Sequence, residues 1–161
     1  MPSTPPRKLA KPIAFTAAGV VLAIVVVVGM WLRIWPWGDG GEQVDLAVGQ
    51  ALYAARCAAC HGANLEGQAN WRRRQADGTL PAPPHDPSGH TWHHPDQQLF
   101  DIVKFGTAAL AGPNYQTNMR AFGPEMSDQE IRAVLAYIKS TWPPEIRRRQ
   151  AAITARAQAG G

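Results

Sequence analysis

"RCAACHG", residues 56 to 62, holds the only two cysteines of the chain, Cys57 and Cys60, with His61 directly behind them. Two thiols and an imidazole within five positions have few uses. A disulfide inside C-x-x-C closes almost no loop and adds little stability. A thioredoxin-type dithiol belongs to a βαβ setting, and nothing around this stretch reads as one. Zinc is open by ligand type, with Cys57 and Cys60 joined by histidines from the 85–94 segment.

The flanking sequence narrows the choice. Upstream, "DLAVGQALYAAR" (45–56) is alanine-rich and places Leu46, Gly49, Leu52 and Tyr53 at helical spacing, which predicts a helix ending at the cysteines. Downstream, residues 62–94 are rich in Gly, Pro, Asn and Asp without steady periodicity. A structureless stretch of that length inside a small domain needs something to wrap around. Pro95 followed by "DQQLFDIVKF" and Gly106 predicts a second helix with a start and a stop. A further Gly, Pro and Asn segment spans 111–125. Ser127 and Glu130 then form a capping box that opens "DQEIRAVLAYIKS", the last core helix, ended by Thr141 to Pro144. The expectation is an all-α domain of three core helices, with loops as long as the helices and too little secondary structure to make a core alone.

A buried prosthetic group accounts for both the long loops and the opening motif. In C-x-x-C-H the two thiols add across the vinyl groups of a haem, and the following histidine is placed to ligate its iron. Cys57 and Cys60 are then the covalent attachment and His61 the proximal ligand.

The N-terminus carries a different signal. "IAFTAAGVVLAIVVVVGMWLRIW", residues 13–35, holds a single charge, Arg33. As a helix it spans roughly 34 Å, enough to cross a bilayer core, with Trp31, Trp35 and Trp37 as an aromatic belt. A cleaved signal peptide is the rival reading, but the apolar run exceeds the usual ~7–15 residues and no small-x-small site follows. Arg7, Lys8 and Lys11 keep the N-terminus cytoplasmic, which puts everything after Trp37 on the periplasmic side. "GDGGEQ" (38–43) reads as a short linker, about 20 Å when extended. The organisation expected is a cytoplasmic N-terminus and anchor over 1–37, a linker over 38–44, the helical domain over 45–142 and a basic tail over 143–161. The net charge of +4 resides in the anchor region, because all twelve carboxylates and twelve of the sixteen Lys and Arg follow Pro36. The domain is formally neutral, which gives no support for nucleic-acid binding.

Over roughly residues 45–142 the sequence resembles the class I cytochrome c family, in its small, membrane-anchored bacterial monohaem form. The resemblance rests on "GQALYAARCAACHG" and on "NMRAFGPEMSDQEIRAVLAYIKSTWP". It implies one covalent haem c, and a crossing of first and last helices at Gly49, Tyr53, Val134 and Tyr137. A glycine lets two helices approach while aromatics fill the surrounding groove. It also implies an electron carrier rather than an enzyme, with cytochrome bc1 and terminal oxidases as partners in a respiratory chain.

The sixth iron position decides the function. Met126 directly precedes the N-cap Ser127 and can pack on Ile131, which gives it a structural task. Met119 lies in an irregular loop and matches the methionine of the family's M-x-x-F pattern, with Phe122 following. Arg120 stands where the family often has proline. Met119 is the expected ligand, with Met126, a histidine or an open position as alternatives. An iron held by His61 and Met119 has no place for substrate and exchanges electrons. An open position would instead suit a haem enzyme or gas sensor.

Several features stay open. His85, His90, His93 and His94 fall within ten residues, either as a copper or zinc site or as part of a haem-wrapping loop. Pro81, Pro83 or Pro84 could supply the carbonyl that orients His61. Trp71, Trp92 and Tyr115 serve haem propionates or packing. The runs Arg72–Arg74 and Arg147–Arg149 read as solvated faces or as contacts to propionates, acidic lipid or an acidic partner.

Overall fold

Asp45 opens the first helix: its carboxylate accepts from the N–H groups of Ala47 (2.8 Å) and Val48 (3.2 Å), two of the donors a helix start leaves without partners. The computed structural model describes residues 45–112 and 114–160, so the expected membrane span over 13–35 and the linker lie outside the described residues. Within them the elements are α1 (Leu46–Arg56), α2 (Ala58–His61), a 3₁₀ turn (Thr91–His93), α3 (Asp96–Phe105), α4 (Thr107–Ala111), α5 (Asp128–Ser140) and α6 (Pro144–Ala159). The described residues contain no strand, and no helix among them is long and apolar enough to cross a membrane. The all-α expectation holds, and α1, α3 and α5 are the three core helices read from the sequence.

The close packing of α1 on α5 organises the domain. A Cβ at Gly49 would overlap the Ala133 carbonyl oxygen and lie 2.7 Å from its carbon, so only glycine permits this approach. One turn on, Tyr53 is 1 % exposed and meets the Tyr137 ring at 5.6 Å between centroids. Val134 is buried in the same cluster. The expected crossing at Gly49, Tyr53, Val134 and Tyr137 is therefore present.

The start of α5 also matches its sequence. Ser127 caps the Glu130 N–H while the Glu130 carboxylate returns to the Ser127 N–H at 2.8 Å. Met126 and Ile131, which flank that cap, are 4 % and 0 % exposed and share the core cluster with Tyr53, Leu65, Phe100 and Phe122.

Three short elements went unread in the sequence: α2, the 3₁₀ turn and α4. Five residues after Gly106 form α4, too short for periodicity to register. The basic tail beyond Trp142 is the 16-residue helix α6, and it packs against the 3₁₀ turn of the domain. Pro144 sits in its first turn, where a missing N–H costs nothing. Its inward residues are Gln150, 1 % exposed, and Ile146, which packs on the core; the arginines 147–149 face solvent.

Candidate functional site

The motif that opens the chain's chemistry lies where α1 gives way to α2. The Cys57 N–H still bonds to the Tyr53 carbonyl (2.9 Å), and the Cys57 carbonyl accepts from Cys60 (3.1 Å) and His61 (2.9 Å). The two thiols are thus one turn apart, and both are free. Cys57 packs against the core cluster while Cys60 is exposed. Burial, with the neighbouring Cys60 as a second cause, pushes the Cys57 thiol up to about 11, so it carries its proton at neutral pH.

His61 is 7 % exposed. Its Nδ1 lies 2.9 Å from the Pro83 carbonyl oxygen, and since a carbonyl only accepts, Nδ1 carries the proton. Of the three prolines left open by the sequence, the fold selects Pro83. Burial lowers the His61 pKa, against an opposing contribution from the Pro83 bond, so the ring is neutral and its Nε2 keeps a lone pair.

Pro83 is positioned by the turn that follows α2. The Gly67 N–H bonds to the His61 carbonyl (2.7 Å), Gln68 N–H to Ala82 (2.9 Å), and His85 N–H to Leu65 (2.8 Å). Gly67 has φ +67°, and a Cβ there would fall 2.7 Å from the Pro83 carbonyl carbon. The Tyr53 hydroxyl closes the arrangement by donating to the Gly62 carbonyl at 2.8 Å.

Met119 packs against the same cluster as Cys57 and Ala58. Its loop is fastened to the end of α3, with Phe122 N–H to Val103 (3.0 Å) and Gly123 N–H to Lys104 (2.9 Å). The Met119 N–H is held by Thr117 Oγ1 at 3.0 Å. Arg120 stacks over Phe122 at 4.7 Å and pairs with Glu125. The same carboxylate receives Arg56, the last residue of α1, at 2.6 Å. Glu125 thereby joins the residue before Cys57 to the residue after Met119, a link that sequence spacing does not disclose.

The four histidines of the 85–94 segment do not all converge on one another in the fold. Among the described residues no group of three or more His, Cys, Asp or Glu could hold a metal ion. His93 stacks on Trp92 at 3.6 Å, His90 stacks on Trp71 at 5.2 Å with His94 edge-on, and His85 turns inward onto His61 at 4.0 Å. Trp92 donates its indole N–H to the Pro87 carbonyl at 3.4 Å, Arg72 lies 4.0 Å over Trp71, and Arg74 lies 5.4 Å over Tyr115.

Two free thiols on one helical turn, one of them protonated and facing the core, next to a buried neutral imidazole with one nitrogen committed, are the donor set that covalent haem attachment requires. Each S–H adds across a vinyl double bond, the sulfur to one carbon and the hydrogen to the other, so no oxidant is consumed.

A family model described as Cytochrome c matches residues 46–142, and the chain belongs to that family. It carries covalently bound haem c, and Cys57, Cys60 and His61 fit the attachment motif. The match ends at Trp142, so α6 lies beyond it. No curated protein and no solved structure matches the chain.

Proposed function

We propose that this chain is a membrane-tethered carrier of single electrons, with Cys57 and Cys60 bonded to one haem c and His61 and Met119 as the axial ligands of its iron. The family supplies haem-based electron transfer. The observation that carries the finer reading is the His61 ring, buried, with Nδ1 given to Pro83 and, among the described residues, no hydrogen bond at Nε2. Met126 is occupied in the core at 4 % exposure, which leaves Met119 as the thioether that borders the motif without a capping role.

When bound, the haem supplies one-electron redox chemistry. The chain's own residues hold it and limit access. Pro83 fixes the His61 tautomer and increases its donor strength, as outer partners of ligating histidines do. The Arg120–Glu125–Arg56 link and the α3 backbone bonds hold the Met119 loop closed. With both axial positions filled there is no room for substrate, which favours a carrier over an enzyme or gas sensor.

The apolar stretch 13–35 would tether the domain to the inner membrane, with residues after Trp37 on the periplasmic side. A domain so tethered serves redox complexes in the same membrane, with cytochrome bc1 as donor and a terminal oxidase as acceptor.

The test uses the full chain matured with haem, beside its Met119→Ala variant. The parent is expected to show the methionine-to-iron charge-transfer band and to resist carbon monoxide; the variant loses the band and binds the gas. A parent that takes up carbon monoxide readily, or a variant indistinguishable from it, would overturn the carrier reading in favour of an enzyme or sensor.

A further inference from the structure

His85 is the one member of the histidine cluster directed inward, and it is held from four sides. Its N–H bonds to the Leu65 carbonyl (2.8 Å) and its carbonyl accepts from the Trp142 indole (2.7 Å). Its Nδ1 lies 2.8 Å from Thr91 Oγ1, and that hydroxyl donates onward to the Pro84 carbonyl at 3.4 Å. A hydroxyl has a single proton to give, so Thr91 accepts from His85, whose Nδ1 is protonated. The ring itself lies nearly parallel to His61, 4.0 Å between centroids and 21° between planes, with Tyr53 edge-on at 6.3 Å.

We propose that His85 is a positioning residue for His61: its stacked ring fixes the plane of the His61 imidazole, and its π face stabilises the oxidised state of the site. The inference rests on the reading of His61 as an iron ligand. The Pro83 bond alone sets where Nδ1 points but leaves the ring free to tilt about that contact. A rigid aromatic plate against one face removes the tilt, and Thr91 keeps the plate from turning. The π face of a neutral aromatic attracts an electron-poor partner. His61 becomes electron-poor when the site is oxidised, so the contact strengthens on loss of the electron and favours that form. A hydrocarbon side chain of similar size fills the space without this preference.

The experiment compares the full-length holoprotein with His85→Leu, His85→Phe and Thr91→Val, reading two quantities besides melting temperature. One is the ratio of reduced to oxidised protein against a fixed mediator couple. The other is the pattern of paramagnetically shifted haem methyl resonances, which reports the plane of the axial imidazole. His85→Leu is expected to move the ratio about tenfold toward the reduced form, within the range of one contact between a π face and an electron-poor partner, and to change the methyl pattern. His85→Phe keeps an aromatic face and restores most of the ratio; Thr91→Val shifts it in the same direction as Leu but less. A residue that only fills space would lower the melting temperature and move neither readout. A parent with the imidazole-bound signature and a His85→Leu variant matching it in ratio and methyl pattern would overturn this inference alone. A parent lacking that signature would overturn the ligand assignment and this inference with it.

Discussion

His61 donates its Nδ1 proton to the Pro83 carbonyl oxygen across 2.9 Å, joining the haem motif to a loop 22 residues further along the chain. The bond depends on backbone placement, so no side-chain change at Pro83 deletes it. Gly67 is the accessible handle. Its φ of +67° disfavours any side chain, and a Cβ would press on the Pro83 carbonyl carbon. Gly67→Ala is expected to destabilise the holoprotein by about 1–3 kcal/mol, as overpacking does. The His61 Nδ1–H proton resonance should move in the same variant, because the carbonyl it faces is displaced. Denaturant unfolding and proton NMR of the reduced protein check both halves.

Gly49 allows a different prediction, confined to stability. Its Cβ position is occupied by the Ala133 carbonyl oxygen, in the closest part of the α1–α5 contact. Gly49→Ala gains helix propensity on the exposed-helix scale, about 1 kcal/mol. That gain is outweighed by separation of two helices whose core includes Tyr53 and Val134, each 1 % exposed. Gly49→Val should be worse than Gly49→Ala, since the branch enters the same space. Thermal melts of the two variants, ranked against the parent, test the order.

Met126 separates the two methionines of the domain by their tasks. It is 4 % exposed and packs in the cluster with Ile131 at the start of α5. Met126→Ala is expected to cost about 2–5 kcal/mol through the cavity it leaves. The charge-transfer band of the parent should survive in the folded fraction. A band lost at Met126→Ala and kept at Met119→Ala would reverse the assignment.

These contacts show what a sequence can and cannot display. Ser127 with Glu130, and Gly106, mark helix ends because capping chemistry is local, and each stands where the structure puts it. The Gly49–Tyr53–Val134–Tyr137 crossing was legible only through the family resemblance, which pairs the first and last helices; the close approach that the glycine permits gives it a physical reason. The choice of Pro83 over its neighbours, the inward turn of His85 and the shared carboxylate of Glu125 were not. Each depends on where a loop without periodicity returns to, and that is set by backbone bonds such as His85 N–H to Leu65 (2.8 Å). Four histidines within ten residues left both a shared site and a haem-wrapping loop open in the sequence; in the fold they take separate stacking partners.

Glu125 should make the closure of the Met119 loop sensitive to acid. Arg120, by its hydrogen bond and charge, and then Arg56, hold the Glu125 carboxyl below its usual value of 4.5. A depressed folded-state pKa means the stabilisation is present above the ordinary glutamate value and is lost as pH falls through the lower folded value. The pair is exposed, so its effect on global stability is small. Its effect on the loop is more direct. Carbon monoxide uptake by the reduced protein should rise as the pH falls through that lowered Glu125 value, and Glu125→Gln should show the raised uptake at neutral pH without that acid step. Uptake measured by stopped flow at several pH values distinguishes the two proteins.

The C-terminal helix α6 is held by a buried amide. Gln150 Nε2 reaches Asp96 Oδ1 (2.7 Å), Thr154 Oγ1 (3.1 Å) and the His94 carbonyl (3.2 Å), and Asp96 is also paired with Lys139 of α5 at 2.7 Å. Three acceptors converge on a group with two protons; removal of the amide takes away the donor of the His94 carbonyl, while Asp96 Oδ1 keeps Lys139. Gln150→Ala is expected to cost about 1–3 kcal/mol on that account. Because the helix covers the 3₁₀ turn at Thr91–His93, loosening it should expose amides there before the α1–α5 core opens. Hydrogen exchange of the holoprotein checks this: faster exchange confined to residues near 91–96 and 144–159 is expected, with Tyr53 and Val134 amides unchanged. Equal acceleration throughout would mean that α6 and the core open as one unit.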